Sequence, residues 1–354
     1  MLELKPMIHK FRMKDNYYCL DVNSGIIHVI DELIDRVLDI YDGTNRDAVH
    51  AALDAKEDAV ELDEIMDELD ELIKAEQLFA PMSTEFKLVV GEKPIVKALC
   101  LNIAHDCNLA CKYCFASQGD YGGVKRELMS FDVAKRAVDF LIKMSGPRQH
   151  CEIDFFGGEP LMNWEVVKQL VEYGRSLEKP YNKKFRFTLT TNGVLLNDEI
   201  MEYLNKEMSN VVISLDGRKE VNDRMRPFRN GKGSYDLIVP KFKKLAESRN
   251  QTNYYIRGTF TRDNLDFSED VKHFADLGFK QMSIEPVVGP EEDPYSIREE
   301  DLPTIMEEYD KLALEYIKRE KEGRGFNFFH FMIDLNQGPC VYKRLSGCGS
   351  GTEY

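Results

Sequence analysis

The sequence predicts an α/β fold, because six β-like segments alternate with helical segments along most of the chain. Such repeats form parallel strands joined by helices that pack outside the sheet. Six units are too few to close an eight-stranded barrel, so we expect an open, partial (β/α)6 TIM-like barrel over residues 95–321. A small α+β domain is expected at 1–82, a linker at 83–94, and the start of a cysteine-bearing module at 322–354.

Composition limits the classes of partner and compartment. The net charge of −15 argues against a nucleic-acid partner, since phosphate binding requires a basic surface. No apolar run reaches the roughly eighteen residues of a membrane span, and the first residues lack the apolar segment of a secretory signal. Eight cysteines without such a signal favour a reducing compartment, where thiols act as ligands or nucleophiles. We therefore expect a cytoplasmic protein with no membrane partner.

The N-terminal part of the sequence predicts three short strands followed by three helices. The strands are expected at Met7–Met13, Tyr17–Val22 and Ile26–Ile30, separated by turn residues. Apolar stripes then mark the helices, and the order is that of a winged-helix-like unit. Residues 31–80 hold 17 Asp or Glu against 4 Lys or Arg. This acidic surface is interpreted either as a solvated helical face or as a docking surface for a basic peptide.

The barrel elements follow in alternation. The predicted strands are Ile95–Ala104, Cys151–Phe156, Phe185–Thr191, Val211–Leu215, Tyr254–Thr261 and Gln281–Val287. The predicted helices are Phe131–Met144, Trp164–Ser176, Asp198–Lys206, Ser234–Ser248, Ser268–Leu277 and Pro303–Lys318. Chemistry in parallel barrels sits at the carboxyl ends of the strands, so residues directly after each strand are the candidates for a site.

Three cysteines follow the first barrel strand in the stretch "CNLACKYC". Cys107, Cys111 and Cys114 therefore share one loop at a strand end. A structural zinc site would need a fourth ligand, and His105 is cramped for that role because it stands two residues before Cys107. A [4Fe–4S] cluster accepts thiolates at its irons, and three ligands leave one iron open.

The C-x3-C-x-aromatic-C pattern after the first strand of a partial barrel resembles the radical S-adenosylmethionine (SAM) superfamily. The resemblance implies a [4Fe–4S] cluster on Cys107, Cys111 and Cys114, with SAM chelating the fourth iron. It further implies that one electron cleaves SAM to methionine and a 5′-deoxyadenosyl radical, which abstracts a hydrogen from the substrate. A low-potential donor of flavodoxin or ferredoxin type is implied as the source of that electron.

The segment at the end of the second predicted barrel strand also resembles the superfamily. "DFFGGEP" resembles the segment that receives the methionyl ammonium of SAM, with Gly157 and Gly158 allowing close backbone approach and Glu159 accepting from the cation. A simple Gly-Gly turn is the alternative.

Polar residues at the ends of later strands correspond, by the same resemblance, to residues that contact SAM. The resemblance implies that Asn192 in "TLTTNG" and Ser214 in "VISLDG" contact the ribose or carboxylate of SAM, and that Tyr113 lies near the adenine. Arg257 in "IRGTF" is expected either to pair with the SAM carboxylate or to form a structural salt bridge.

Two resemblances suggest which kind of radical SAM enzyme this is. Cys340 and Cys348 look like the entry to a SPASM-type extension, whose cysteines bind auxiliary [4Fe–4S] clusters; two free thiols are the alternative. The front unit resembles the element that binds the leader of a ribosomally made precursor peptide by adding it as a strand to the sheet. We expect the edge at Ile26–Ile30 to serve that role.

The combination is most similar to maturases of the six-cysteine-in-forty-five (SCIFF) peptides, which join a cysteine sulfur to the α-carbon of an acceptor residue. The resemblance implies a cysteine-rich precursor as partner. A sulfatase formylglycine-generating enzyme and a non-catalytic, zinc-stabilised binding protein remain as alternatives. Cys19, Cys100 and Cys151 lie within strand patterns and are expected in the core.

Overall fold

The structure is a computed structural model. The residues that it describes are 8–53, 57–81, 95–123 and 125–333. The chain forms two compact units; the described residues up to 81 belong to the first, and those from 95 to 332 belong to the second.

The first unit begins with a three-stranded antiparallel sheet in the order β1-β2-β3. Its strands are β1 (Ile8–Met13), β2 (Asn16–Asp21) and β3 (Ile27–Ile30). The buried Asp21 carboxylate accepts hydrogen bonds from the backbone of Asn23 and Ser24, which fixes the turn between β2 and β3. The three strands predicted from the sequence are confirmed.

Three helices complete this unit. They are α1 (Glu32–Val37), α2 (Arg46–Leu53) and α3 (Ala59–Lys74). Asp31 and Asp58 cap α1 and α3 by accepting from backbone N–H groups of the first turn. The helices pack against β2 around a small core that includes the fully buried Cys19, Val37, Leu62 and Met66.

The second unit is a mixed α/β fold, as predicted. Its strands are β4 (Ala98–His105), β5 (Glu127–Leu128), β6 (His150–Gly157), β7 (Lys184–Thr191), β8 (Met208–Ser214), β9 (Tyr254–Phe260), β10 (Gln281–Pro286) and β11 (Asn327–Phe328). Its helices are α4 (Phe131–Met144), α5 (Trp164–Tyr181), α6 (Asp198–Glu207), α7 (Lys219–Met225), α8 (Tyr235–Ser248), α9 (Phe267–Asp276) and α10 (Leu302–Lys321). The six predicted strands and six predicted helices are all present.

One eight-stranded sheet runs in the order β11-β10-β9-β8-β7-β6-β4-β5. All neighbours are parallel except β4 and β5, which are antiparallel. Across the described part of the chain, β5 and β11 are edges that pair with no further strand, so the sheet is open. The carboxyl ends of its parallel strands meet at one edge, which positions the residues of the site.

Alternate residues of the strands pack on the helices. Along β6, for example, Ile153 and Phe155 are fully buried in the core, and Asp154 between them faces the other side of the sheet. Cys151 on β6 is buried as expected, and so is Cys19 in the first unit. Cys100 is not in the core: it is exposed, because it falls on the face of β4 that turns away from the helices. None of the described helices is both long enough and apolar enough to cross a membrane.

Candidate active site

The three cysteines lie on the loop that leaves β4. Cys107 is buried, with 8% of its surface exposed, while Cys111 and Cys114 are partly exposed, and all three are free thiols. The Cys107 sulfur accepts a hydrogen bond from the Leu109 backbone at 3.5 Å. The loop therefore presents three thiols at the carboxyl edge of the sheet, which we call the cysteine loop (residues 106–114).

Asp106 anchors the start of the cysteine loop. Its Oδ1 accepts from the Cys107 backbone at 2.8 Å, from Arg126 Nη1 at 2.6 Å and from Arg229 Nη2 at 2.8 Å. Arg229 also donates to the Cys107 carbonyl oxygen at 2.5 Å. Two guanidinium groups thus hold the backbone of the first cysteine in place through charge-assisted hydrogen bonds.

A second segment runs along the cysteine loop like a short strand. The backbone N–H groups of Ala110 and Lys112 donate to the carbonyl oxygens of Pro227 and Met225 at 2.8 and 2.9 Å. Leu109 forms an antiparallel bridge with Phe228. We call residues 225–229 the arginine clamp, because this segment also carries the arginines that contact the loop. Its hydrogen bonds fix the backbone between the three thiols.

Tyr113 belongs to a buried polar triad with Asp216 and Arg226. The Tyr113 hydroxyl donates to Asp216 at 2.7 Å and accepts from Arg226 Nη1 at 2.7 Å, and Arg226 lies 3.7 Å from the Asp216 carboxylate. Asp216 is fully buried and Arg226 is 9% exposed. A buried positive charge is therefore held close enough to the first and second cysteines to act on their thiols.

The electrostatics of the thiols follow from their burial. Burial raises the pKa of Cys107 to about 12 and that of Cys111 to about 11, and the charge on Arg226 opposes both shifts. Thiols with such pKa values stay protonated at neutral pH unless a metal centre binds the thiolate. Three clustered thiols on one rigid loop fit an iron–sulfur cluster, in which each thiolate binds a different iron.

The glycines of the "GGEP" segment lie against the cysteine loop. A Cβ atom on Gly157 would stand 2.6 Å from the Ala104 carbonyl oxygen, and one on Gly158 would stand 2.1 Å from that of Asp106. Gly157 also has φ of +122°, a conformation that favours glycine. The close backbone approach expected of these glycines is therefore made to β4 and the cysteine loop of the same chain.

Glu159 is fully buried and joins the ends of β6 and β7. Its carboxylate accepts from the Leu161 backbone at 3.0 Å, the Thr191 hydroxyl at 2.7 Å and the Asn192 backbone at 2.8 Å. Burial raises the pKa of Glu159, and these three hydrogen bonds lower it. The described chain already fills three of the roughly four acceptor positions of a carboxylate. The role of Glu159 as acceptor for the SAM ammonium stays a prediction.

Asn192 is brought into contact with the cysteine loop. Its side-chain amide donates to Asn108 Oδ1 at 2.7 Å and reaches the Cys107 sulfur at 3.6 Å. Asn192 therefore connects the end of β7 to the first cysteine, and its predicted contact with SAM stays a prediction.

Ser214 and Arg257 lie side by side on β8 and β9, where they are register partners. Arg257 Nη2 donates to Glu285 Oε2 at 2.5 Å on the neighbouring β10. Arg257 was expected either to pair with the SAM carboxylate or to form a structural salt bridge, and the contact with Glu285 is a salt bridge of the second kind. The contacts of Ser214 and Arg257 with SAM stay predictions.

Two further predicted ligands, Cys340 and Cys348, lie outside the described residues. Across the described parts of the chain, no three His, Cys, Asp or Glu side chains are placed to hold a single metal ion.

The first unit carries a second candidate site, a groove between β3 and α3. The cavity there has a volume of about 120 Å³. Its apolar lining comes from Val29, Ile30, Ile34, Leu69, Leu72 and Leu78. Among residues 8–53 and 57–81, the outer edge of β3 pairs with no other strand, and 71% of Val29 is exposed. Part of the acidic surface beyond it is structural, since Arg46 pairs with Asp67 and Asp70 at 2.7 and 2.5 Å.

Sequence reasoning missed Asp106, Asp216 and the arginine clamp. Their contacts join residues that stand more than 100 positions apart along the chain, which leaves no local pattern. One signal was available: the run "RMRPFR" at 224–229 places three arginines together in a chain of net charge −15.

Comparison with known proteins adds independent evidence. Residues 101–274 match the model of the Radical SAM superfamily. The chain is 27% identical to the radical SAM cyclopropyl synthase TigE of Paramaledivibacter caminithermalis over 53% of this chain and 40% of that protein. It is also 27% identical to the cysteine-type anaerobic sulfatase-maturating enzyme of Clostridium novyi, over 69% of this chain and 67% of that protein.

The fold has a counterpart among solved structures. The structure of native anSMEcpe with bound AdoMet and Kp18Cys peptide superposes with a TM-score of 0.58 at 23% identity, over 67% of this chain and 64% of that one. The chain thus spans 40% to 67% of the length of these similar proteins. The family match, the parallel sheet and the three-cysteine loop identify residues 101–274 as a domain of the Radical SAM superfamily.

Proposed function

We propose that this chain is a maturase that uses SAM to join a cysteine sulfur to an α-carbon in a ribosomally made precursor peptide. The observation that carries the proposal is the combination, on one chain, of the three-cysteine loop with an apolar groove beside an open strand edge. The loop supplies the radical chemistry of the superfamily, and the groove suits an extended peptide.

The cysteine loop would hold the [4Fe–4S] cluster through Cys107, Cys111 and Cys114. The chemistry that cluster and SAM supply together is reductive cleavage of SAM to a 5′-deoxyadenosyl radical. The residues around the loop keep its backbone rigid, and Arg226 places a positive charge beside thiolates that burial would otherwise disfavour. We expect SAM to lie against Gly157, Gly158, Glu159, Tyr113, Asn192 and Ser214.

The groove of the first unit would bind the leader of the precursor. A leader strand added to the open edge of β3 would gain main-chain hydrogen bonds, and its apolar side chains would enter the cavity beside Val29 and Leu72. α3 carries seven Asp or Glu and one Lys, so a leader with basic residues next to its apolar ones fits this surface.

Cys340 and Cys348 are assigned to an auxiliary cluster. Thioether formation removes two hydrogens from the peptide in total, so one electron must leave after the first hydrogen is abstracted. An auxiliary cluster on these cysteines would accept it. Replacing both by Ala is expected to retain SAM cleavage and abolish crosslinks, and unchanged crosslinking would contradict the assignment.

The experiment that tests the proposal uses the full chain, purified and reconstituted without oxygen. A cysteine-rich precursor is incubated with this protein, SAM and dithionite, and its mass and thiol content are measured. Loss of two hydrogens together with one alkylatable thiol per crosslink is expected. The Cys107→Ala variant should produce neither change. A precursor that keeps its mass and its thiols while 5′-deoxyadenosine accumulates would overturn the proposal.

Formylglycine formation in a sulfatase is a second candidate function, because the similarity to a sulfatase-maturating enzyme extends over 69% of the chain. A sulfatase-derived peptide containing the target cysteine would then acquire an aldehyde that reacts with a hydrazide probe. The thioether proposal expects no labelling of that peptide.

A further inference from the structure

The face of the sheet that turns away from the helices carries charged side chains. The residues on either side of Asp154 on β6 and of Arg257 on β9 are buried on the helix face, so these two side chains point to the opposite face. Glu285 on β10 follows the buried Ile284 and pairs with Arg257, so it lies on that face as well. Cys100 on β4 is the register partner of Asp154, and its exposure shows that this face has open space beside it.

The three charges are not equally satisfied. Arg257 and Glu285 form a direct ion pair at 2.5 Å. The Asp154 side chain is different: its Oδ1 is buried and accepts no hydrogen bond from any described residue. Burial raises the pKa of Asp154 to about 6, and the charge on Arg257 lowers it. Asp154 Oδ1 is thus a buried acceptor with no donor among the described residues, on the face where Arg257 and Glu285 are paired.

An unsatisfied buried carboxylate oxygen is costly, and such groups need an explanation. Since Asp154 stands three residues before Gly157, it lies about 10 Å along the strand from the end where the cysteine loop sits. That distance places it within reach of a ligand that extends from the cysteine loop along this face of the sheet. A donor on such a ligand would satisfy the oxygen.

We propose that Asp154 binds an N–H group of the substrate peptide and so positions the segment that reacts. This inference rests on the proposed function. A neutral peptide N–H suits the site better than a cationic group, because a charged donor would lose more hydration free energy on reaching this buried oxygen. Asp154 is in this account a substrate-positioning residue.

The test compares Asp154→Ala and Asp154→Asn with the matched control Glu152→Ala in the reconstituted full chain. Glu152 is a carboxylate on the same strand and the same face, exposed and paired with Arg186 at 3.6 Å. KM for the precursor and KM for SAM are measured for each variant, with crosslink formation as the readout. Cluster absorbance is measured without peptide.

Asp154→Ala is expected to raise KM for the precursor about tenfold or more, and to raise it far more than KM for SAM. Asp154→Asn should raise it less, because its amide oxygen still accepts, and Glu152→Ala should match the unmodified protein. An unchanged KM for the precursor would overturn the inference. So would a general defect, in which KM for the precursor and KM for SAM rise by the same factor and cluster absorbance falls as well. If the unmodified protein forms no crosslink, the proposed function fails first, and the inference fails with it.

Discussion

The Thr191 hydroxyl donates to the buried Glu159 carboxylate at 2.7 Å, and this contact ties the carboxyl end of β7 to that of β6. The same carboxylate accepts from the backbone of Leu161 and Asn192. Asn192 in turn reaches Cys107. The ends of three strands are therefore linked through two side chains, Glu159 and Asn192, so the geometry of the candidate SAM site depends on Glu159.

Replacing Glu159 by Gln tests this link. The side-chain NH2 group of Gln would point at the Asn192 backbone N–H, so two donors would meet and neither would have an acceptor. We therefore expect the free energy of unfolding to fall by about 1–3 kcal/mol. KM for SAM should rise, because the displaced Asn192 borders the cysteine loop. Urea unfolding and the kinetics of SAM cleavage measure the two effects. Glu165→Gln on α5, an exposed residue, is the control and should change neither quantity.

The arginine clamp makes a second prediction. Arg226→Gln removes the buried cation and leaves Asp216 without its charged partner, which should cost about 3–5 kcal/mol of unfolding free energy. We also expect less iron to be retained after reconstitution, because Cys111 loses the charge that favours its thiolate. The control is Arg224→Gln, one residue before the arginine clamp, which removes an exposed arginine that donates to the Asp263 carbonyl oxygen. Iron loss equal to that of Arg226→Gln in this control would contradict the account.

Leader binding by the groove makes a third prediction. Val29→Asp places a charge on the open edge of β3 inside the apolar lining, and we expect the Kd for the full-length precursor to rise at least tenfold. Val60→Asp is the control, since Val60 is similarly exposed, at 65%, but lies outside the groove, and it should leave the Kd unchanged. Fluorescence anisotropy with the labelled full-length precursor measures the Kd for both variants. Equal affinities for the two variants would place the leader elsewhere.

The raised pKa of Asp154 predicts how stability depends on pH. A carboxyl whose pKa is raised from 3.8 to about 6 by folding destabilises the folded state when it is ionised. Asp154→Asn should therefore raise the free energy of unfolding by about 1–3 kcal/mol at pH 7.5, where Asp154 is charged. The gain should shrink as pH falls through 6 and vanish only well below the unfolded pKa of 3.8, where the carboxyl is neutral in both states. Urea unfolding at several pH values measures it, and a gain at pH 4 as large as that at pH 7.5 would contradict the assigned cause.

The elements that the sequence predicted are those with a local signature. Phe131–Met144 was predicted with the bounds that α4 has, because Ser130 caps it and its apolar residues repeat with the helical period. The three cysteines were found because they stand within eight positions of one another.

The elements that were missed are short or depend on distant partners. β5 and β11 have two residues each, and α7 has seven, which is too few for a periodic pattern. Arg229 meets Asp106 from 123 positions away. Cys100 was placed in the core because its strand pattern does not reveal which face is covered by helices.

The central claim is that Cys107, Cys111 and Cys114 support radical cleavage of SAM. It is tested most directly by 5′-deoxyadenosine formation in protein reconstituted with iron and sulfide without oxygen and reduced with dithionite. We predict a brown protein that converts SAM to 5′-deoxyadenosine and methionine, and a variant with Ala at all three cysteines that forms none. Equal 5′-deoxyadenosine from that variant, or a colourless zinc protein that leaves SAM intact, would contradict the claim.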